Sequence, residues 1–330
     1  EAGQRIVLEV ELRNALEPPR MKLLTQFNEL PQGVKFLVDM RAELLRLRRE
    51  HPKLVPLEAD LKRLLSAWFD VGLLQMEEIN WRSSAELLEK LIAYEAVHAI
   101  QSWNDLKNRL DSDRRCFAFF HPNMPEEPLI FVEVALVKGM ANNVQELLDE
   151  SAPLEDIRLA DTAIFYSISN AQKGLAGISF GNFLIKRVVK TLQQEFPQLT
   201  QFATLSPIPG FCRWLESIEP AQESSLLDEG VASRSPEHLQ KMAAHYLSKE
   251  KQSRNQNYAR DPVAHFHLSN GAQIERLNWM ADASENGMKQ SAGMMVNYLY
   301  ELPQIETRSQ GYSAEGKVAL SLSIEKQLNK

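Results

Sequence analysis

The chain has 330 residues, 44% hydrophobic and 25% charged, a composition typical of a soluble globular protein with room for two cores. Its net charge of −7 disfavours a general nucleic-acid binder, because neutralising a phosphate backbone needs a basic surface. No run of about 18 apolar residues predicts a membrane-spanning helix, so we expect neither a nucleic-acid partner nor a membrane partner.

The first part of the chain is predicted to be helical. Apolar residues recur at three- and four-residue steps through residues 34–47 and 57–68, which predicts two amphipathic helices that pack on one another. A third helix is predicted after Ser83, which fits a capping box with Glu86. We therefore expect an all-helical bundle over residues 1–93 that mediates oligomerisation and has no chemistry of its own.

After about Tyr94 the pattern changes to short runs rich in β-branched and aromatic residues, which predict strands. Helical segments separate some of them, so we expect an α+β domain over residues 94–330. Glu133 lies inside one apolar run, where alternation predicts a solvent-facing side chain, although a position facing a site would also fit. The predicted strands are residues 116–120, 129–137, 162–169, 202–207 and 263–268, and the predicted helices are residues 143–150, 182–196 and 236–252.

A glycine-rich turn lies between a predicted strand and the helix that follows it. Residues 177–181 match G-x-S-x-G, the nucleophile elbow of the α/β-hydrolases, but an elbow needs a strand running directly into the serine, and a partly polar loop stands there instead. The alternative is a phosphate-binding turn, because Gly174, Gly177 and Gly181 let the backbone approach a ligand and the next helix opens with free N–H groups. This arrangement binds the pyrophosphate of coenzyme A in acetyltransferase-type folds. A purely structural loop is the third interpretation.

Several stretches resemble the malonyl-CoA decarboxylase family: LLSAWFDVGLL, YEAVHAI, QKGLAGISFGNFLIKRVVK, LSPIPGF, DPVAHFHLSNGA and RLNWMAD. They are spread over most of the chain. The resemblance implies a helical N-terminal domain that mediates assembly, followed by a catalytic domain of GNAT-like (acetyltransferase-type) fold. It also implies the conversion of malonyl-CoA to acetyl-CoA and carbon dioxide.

The resemblance also implies site residues. Ser206 matches the family's catalytic serine, His267 its catalytic histidine and Tyr300 its active-site tyrosine. Ser179 stands where some members have a glutamate. A role of that carboxylate in orienting the histidine or the substrate is therefore not carried over, and we expect Ser179 to offer a hydroxyl group to the substrate instead. The family's malonyl-CoA-binding segment matches Ala176, Gly177, Ile178, Ser179, Phe180, Gly181 and Asn182.

The expected chemistry needs no cofactor beyond the coenzyme A of the substrate. Loss of carbon dioxide leaves an electron pair that the thioester carbonyl accepts as an enolate, so neither pyridoxal phosphate nor thiamine is required. Ser206 precedes Pro207 and Pro209, which fix the backbone at the end of a predicted strand. His267 is suited to deliver a proton, because histidine titrates near neutral pH.

A pair of histidines and a pair of tyrosines also need an interpretation. If residues 263–268 form a strand, His265 and His267 point to the same face and could bind zinc, but no third ligand has comparable support, so we expect no metal. Tyr298 and Tyr300 share a face if their segment is extended, and a core role for Tyr300 is the alternative to the active-site role.

Two other functions remain open on the residues alone: an acyl-CoA-dependent acetyltransferase of the same fold, and a CoA-binding regulatory or scaffold protein. We expect malonyl-CoA and acetyl-CoA as ligands and a homo-oligomer, either a tetramer or a dimer. The two cysteines, Cys116 and Cys212, are too few for a disulfide framework and favour a cytoplasmic location. The chain starts at Glu1 rather than Met, as expected of a fragment or a processed chain.

Overall fold

The structure is a computed structural model that describes residues 2–154, 156–178, 183–218, 235–253 and 255–329. The chain divides into two compact units. The first comprises residues 1–77, 118–130 and 170–180, and the second comprises residues 78–117, 131–169 and 181–330. The predicted division into a helical domain over residues 1–93 and a catalytic domain over residues 94–330 stays a prediction.

The first unit consists mainly of helices α1 (Ala2–Leu16), α2 (Arg20–Gln26), α3 (Gly33–Leu47) and α4 (Val55–Trp68). The two predicted amphipathic helices are confirmed as α3 and α4, whose apolar stripes meet in a core that fully buries Leu37, Leu61 and Leu65. A 3-10 turn (Lys173–Leu175) lies so close to α3 that a Cβ on Gly174 would stand 1.8 Å from the carbonyl oxygen of Val38. Glycine is therefore required at position 174.

Helix α1 differs from its neighbours because its apolar side chains face solvent. Each of them is between about half and three-quarters exposed, and they are Ile6, Val7, Leu8, Val10, Leu12 and Leu16. Exposed apolar side chains in this number often mark an interaction site in a soluble protein. No helix within the described ranges has the length and apolar character that crossing a membrane requires.

One sheet contains most of the described strands, in the order β1-β2-β3-β4-β5-β10-β6, with β9 paired to β10. Strands β4 and β5 run parallel, whereas β10 runs antiparallel to β5, β6 and β9. The α+β class with a mixed sheet is thereby confirmed. The strands are β1 (Gln75–Ile79), β2 (Arg114–Phe120), β3 (Ile130–Val137), β4 (Thr162–Asn170), β5 (Gln201–Thr204), β6 (Ser206–Pro207), β7 (Lys251–Gln252), β8 (Asn255–Ala259), β9 (Gln273–Asn278) and β10 (Met295–Leu299), of which β7 and β8 form a separate hairpin.

The helices of the second unit lie between these strands in the chain, except that the last two helices follow β10. They are α5 (Ala85–Tyr94), α6 (Trp103–Arg109), α7 (Val144–Leu148), α8 (Phe183–Glu195), α9 (Phe211–Ile218), α10 (Pro236–Ser248), α11 (Pro262–Ser269), α12 (Glu285–Ser291), α13 (Ile305–Glu315) and α14 (Leu322–Asn329). The predicted cap of α5 is wrong by one residue, because Ser84 accepts the hydrogen bond from the backbone N–H of Leu87. Ser83 instead accepts one from the N–H of Asn80.

The predicted strand over residues 263–268 is wrong, since this segment is helix α11. Asp261 caps it: its Oδ1 accepts hydrogen bonds from the N–H groups of Val263 (3.0 Å) and Ala264 (2.8 Å). Pro262 occupies the first helical turn, where its fixed φ suits a helix and its missing N–H has no cost. This local start signal outweighs the strand propensity of the aromatic and β-branched residues that follow.

Candidate active site

Ser206, His267 and Tyr300 lie together in one hydrogen-bonded row. The Oγ of Ser206 stands 3.2 Å from Nε2 of His267, and Nδ1 of the same ring stands 2.7 Å from the hydroxyl of Tyr300. Sequence reasoning named all three residues, and the structure brings them into direct contact. A histidine between two hydroxyl groups can hold a proton on either ring nitrogen and pass it along the row.

Three different elements position this row. Ser206 opens β6, directly after a break at Leu205, and lies opposite Val296 of β10. Tyr300 directly follows β10, and its N–H donates to the carbonyl oxygen of Phe202 (2.8 Å). His267 comes from the last turn of α11. Each side chain therefore stands on regular structure or at its end, which holds a site more rigidly than a free loop.

Burial sets the protonation of the row. Ser206, His267 and Tyr300 are 6%, 3% and 2% exposed. Desolvation lowers the pKa of His267 from 6.5 to about 3, so the ring is neutral across the physiological range. Burial also raises the pKa of Tyr300 well above 10, which keeps its hydroxyl protonated. A row of neutral groups in a dry setting can donate and accept protons without carrying a resident charge.

Tyr298 supports the histidine ring from one side. The two rings stack with centroids 4.5 Å apart and planes inclined by 26°. Tyr298 is fully buried, and its hydroxyl has no hydrogen-bond partner within the part of the chain that the structure describes. The predicted common face of Tyr298 and Tyr300 agrees with the contacts that both make with the His267 ring.

His265 lies apart from this row. Its Nδ1 stands 3.0 Å from the hydroxyl of Tyr312, and its ring packs 4.5 Å from the ring of Tyr258. Residues two apart on a helix point in nearly opposite directions, so the expectation that His265 and His267 share a face fails together with the strand assignment.

Sequence reasoning missed three polar residues around the row: Thr204, Asn297 and Asp261. Thr204 accepts a hydrogen bond from the hydroxyl of Ser206 (2.8 Å), and its carbonyl oxygen accepts one from Nδ2 of Asn297 (2.7 Å). Asp261 caps the helix that presents His267, and burial raises its pKa to about 7. The signal available for Thr204 was its spacing of two residues from Ser206, which places both on one face of an extended strand.

The predicted substrate-binding segment is described only in its first part, within the first unit. Gly177 has a φ of +73°, a conformation that side-chain-bearing residues rarely adopt, and the N–H of Ile178 donates to the carbonyl oxygen of Leu175 (3.0 Å). The remaining residues of the segment, Ser179, Phe180, Gly181 and Asn182, lie outside the described residues.

Arg41 of α3 holds the start of this segment. Its guanidinium donates to the carbonyl oxygens of Gly174 and Ala176 and forms an ion pair with Glu58 of α4 (2.9 Å). Arg41 is 1% exposed and Glu58 is 5% exposed. The planar guanidinium with its five N–H donors suits this arrangement of carbonyl and carboxylate oxygens, which a lysine could satisfy only in part.

Glu133 is neither solvent-facing nor part of the row. It is fully buried in β3, and its Oε2 pairs with Arg109 (3.0 Å), which also binds Asp105 (2.7 Å). Desolvation raises the pKa of Glu133 to about 7. Alternation fails as a guide here because β3 is buried on both faces, as the strands of a covered sheet are.

Proteins of known family resemble this chain over nearly its whole length. Residues 2–69 match the malonyl-CoA decarboxylase N-terminal domain, and residues 72–330 match the malonyl-CoA decarboxylase C-terminal domain. "Malonyl-CoA decarboxylase, mitochondrial" of Mus musculus is 38% identical over 367 residues, covering 98% of this chain and 74% of the relative. The crystal structure of malonyl-CoA decarboxylase from Rhodopseudomonas palustris is 42% identical, covers 96% of this chain and 82% of its own, and superposes with a TM-score of 0.89. That from Agrobacterium vitis is 44% identical, covers 97% of this chain and 82% of its own, and gives a TM-score of 0.87. The chain therefore belongs to the malonyl-CoA decarboxylase family.

Proposed function

We propose that this malonyl-CoA decarboxylase, a carboxy-lyase, carries out its reaction at the row formed by Ser206, His267 and Tyr300. The observation that supports this assignment is the row itself: three residues from separate elements, each almost fully buried, joined by contacts of 3.2 and 2.7 Å. A buried chain of hydroxyl and imidazole groups is suited to the transfer of one proton, which is the acid–base work that decarboxylation requires.

The reaction breaks the bond between the α-carbon and the carboxylate of the malonyl group. Carbon dioxide leaves, and the bonding electrons move into the thioester carbonyl to give an enolate. The substrate thus accepts its own electrons, so we propose that neither an organic cofactor nor a metal takes part. A preorganised donor to the enolate oxygen contributes about 3–4 kcal/mol to such a step, and protonation of the α-carbon completes it.

The roles within the row follow from burial and contacts. Ser206 engages the malonyl group and contacts Nε2 of His267. The neutral His267 delivers the proton to the α-carbon, because a ring with a pKa near 3 holds no second proton to give. Tyr300 orients the ring through Nδ1 and exchanges a proton with it. The dry setting strengthens each of these hydrogen bonds, since little water competes for them.

We propose that residues 176–182 bind the malonyl-CoA, as the resemblance implies. The support is local: the left-handed conformation of Gly177 would let the backbone approach a ligand, and Arg41 fixes the carbonyl oxygens of Gly174 and Ala176 before it. Ser179 would offer a hydroxyl to the substrate in place of the glutamate of some relatives.

Kinetics of variants test the assignment. Ser206→Ala and His267→Asn should each lower kcat by about 10²- to 10⁴-fold, the usual contribution of a positioned acid–base group. The double variant should be little worse than the more damaged single variant, because residues that act as a unit are not additive. His265→Asn is the matched control, since it removes an imidazole from the same helix outside the row. Near-normal kcat in both single variants, or losses that multiply fully, would contradict the assignment.

The same assay separates decarboxylation from acetyl transfer. Malonyl-CoA is supplied with and without an amine acceptor, and release of carbon dioxide and formation of acetyl-CoA are followed. We expect carbon dioxide and acetyl-CoA in equal amounts, independent of the amine. Acetyl transfer that depends on the amine, without carbon dioxide release, would favour an acetyltransferase.

We also propose that α1 forms part of a homo-oligomer interface, in a tetramer or a dimer. The support is the number of exposed apolar side chains on α1, which a monomer leaves in water at a cost of about 25 cal/mol per Å². Light scattering at micromolar concentration tests this, and a mass of 37.6 kDa would contradict it.

We propose a cytoplasmic location because the chain has only two cysteines, Cys116 and Cys212, too few for a disulfide framework. The relatives from mouse and rat carry the word "mitochondrial" in their names. Fractionation of the source cells against compartment markers tests the location, and enrichment in an organelle would contradict it.

A further inference from the structure

We infer that Thr204 is a positioning residue that decides which ring nitrogen of His267 carries the proton. The inference rests on the proposed roles of Ser206 and His267, and it concerns the direction of the hydrogen bonds in the row. The link of Thr204 to His267 within the described residues runs through the hydroxyl of Ser206, which contacts both.

Three hydrogen bonds hold Thr204 in place. Its Oγ1 accepts two hydrogen bonds, from the hydroxyl of Ser206 (2.8 Å) and from the backbone N–H of Tyr298 (3.2 Å). Its carbonyl oxygen accepts from Nδ2 of Asn297 (2.7 Å). The residue is 0% exposed, so no bulk water competes for these bonds. Both lone pairs of the Thr204 hydroxyl are thereby occupied by donors.

The direction of the remaining bonds follows from counting protons. A serine hydroxyl has one proton, and that of Ser206 points to Thr204. It is therefore not available to Nε2 of His267, 3.2 Å away, and Nε2 must itself be the donor in that contact. A neutral imidazole has a single N–H, so Nδ1 carries none and accepts the proton of the Tyr300 hydroxyl at 2.7 Å.

This arrangement makes His267 an acid at the nitrogen that faces Ser206. In the protonation step the Nε2–H bond breaks and a C–H bond forms on the α-carbon of the enolate, while the Tyr300 proton moves to Nδ1 and the negative charge passes from the enolate to the phenolate oxygen of Tyr300. The ring stays neutral throughout, which suits its burial. Burial disfavours the phenolate, so Tyr300 takes its proton back from Nδ1 at once, and Nε2 gains a proton from a water molecule, which leaves as hydroxide. With the opposite tautomer, Nε2 would be a bare acceptor where a donor is needed.

Two substitutions separate the hydroxyl of Thr204 from its shape, and a third, at another residue, is the control. Thr204→Val keeps the branched shape but removes the acceptor, so the Ser206 hydroxyl should turn to donate to Nε2 and move the ring proton to Nδ1. Thr204→Ser keeps the hydroxyl and should keep the wild-type tautomer. Thr162→Val is the matched control, because Thr162 is an equally buried strand threonine whose hydroxyl donates to Asp161 (2.7 Å).

The tautomer is read directly by solid-state NMR on protein with ¹⁵N-labelled histidine, since protonated and bare ring nitrogens differ widely in chemical shift. The His267→Asn variant assigns the His267 signals among those of the seven histidines. We expect Nε2–H in the wild type, Thr204→Ser and Thr162→Val, and Nδ1–H in Thr204→Val. The kcat of Thr204→Val should fall by about 10²-fold with KM little changed, as when one acid–base group is lost.

Thr204→Ala provides the same test should the valine variant fail to fold, because it also lacks the hydroxyl. A wild-type tautomer in Thr204→Val or Thr204→Ala would overturn the inference, as would Nδ1–H in the wild type. A tautomer change with no malonyl-CoA decarboxylation by the wild type would support the role of Thr204 and refute the proposed function. Normal decarboxylation by the wild type, together with a His267 tautomer that the Thr204 variants do not change, would support the proposed function and refute the role of Thr204.

Discussion

Replacement of Arg41 by methionine should destabilise the first unit and weaken substrate binding. Four contacts of the guanidinium disappear: two to Oε1 of Glu58, at 3.0 and 2.9 Å, one to the carbonyl oxygen of Gly174 and one to that of Ala176. Glu58 keeps only the half-exposed Arg48 as an ionic partner (2.9 Å). Removing one partner of a buried ion pair costs about 3–5 kcal/mol, and the partial compensation by Arg48 places the loss near 3 kcal/mol.

Hydrogen exchange with peptide-level mass spectrometry measures this loss where it occurs. Peptides from α3, α4 and residues 170–178 should exchange faster in Arg41→Met, because opening the unit becomes easier by the lost free energy. KM for malonyl-CoA should rise while kcat changes less, since Arg41 holds the carbonyl oxygen of Ala176, the first residue of the proposed binding segment. Arg41→Lys should have exchange rates and a KM between those of the wild type and Arg41→Met, because an ammonium group satisfies fewer of these acceptors.

Arg48→Met is the matched control. It removes the other ionic partner of Glu58, but Arg48 is exposed on 44% of its side chain, so a loss of at most about 1 kcal/mol is expected. The double variant Arg41→Met/Glu58→Leu should recover part of the stability of Arg41→Met, because no unpaired charge remains buried. Equal exchange in Arg41→Met and Arg48→Met would refute the idea that burial makes the Arg41 contacts strong.

Three further outcomes are expected. Burial lowers the pKa of His267 from 6.5 to about 3, so the folded chain resists protonation of this ring. The wild type should therefore lose stability as the pH falls from 6.5 towards 3, whereas His267→Gln should lose less. Thermal melts measure this, and equal acid sensitivity of the two proteins would contradict it. Burial raises the pKa of Asp261 from 3.8 to about 7, so the folded chain resists ionisation of this carboxyl group. Asp261→Asn should therefore become increasingly more stable than the wild type as the pH rises from 3.8 to 7, and the difference should stay constant above pH 7. A difference that shrinks as the pH rises would contradict the raised pKa of Asp261. Dialysis against a strong chelator should leave kcat unchanged, because the thioester accepts the electrons, and a loss that zinc restores would show that a metal takes part.

The sequence by itself predicted the elements whose stability comes from their own pattern. The apolar repeats of α3 and α4 and the apolar runs of β2, β3 and β4 mark their burial without reference to the rest of the fold. Asp261 and Pro262 also held the start signal of α11 locally, and the strand prediction there failed because residue propensity was given more weight than the cap. Family motifs identified Ser206, His267 and Tyr300 one by one.

Only the tertiary structure decided how these residues act. The contacts in the row join residues that are 61 and 33 positions apart in the chain, so they form only when β6, β10 and α11 pack together. The low pKa of His267 depends on its burial, which is a property of the packed unit. The burial of Glu133 is compensated by Arg109, which reaches it from a different element. Thr204 gains its influence only through the direction of a hydrogen bond to Ser206, because a side chain's position in the sequence does not tell which of its neighbours will take its proton.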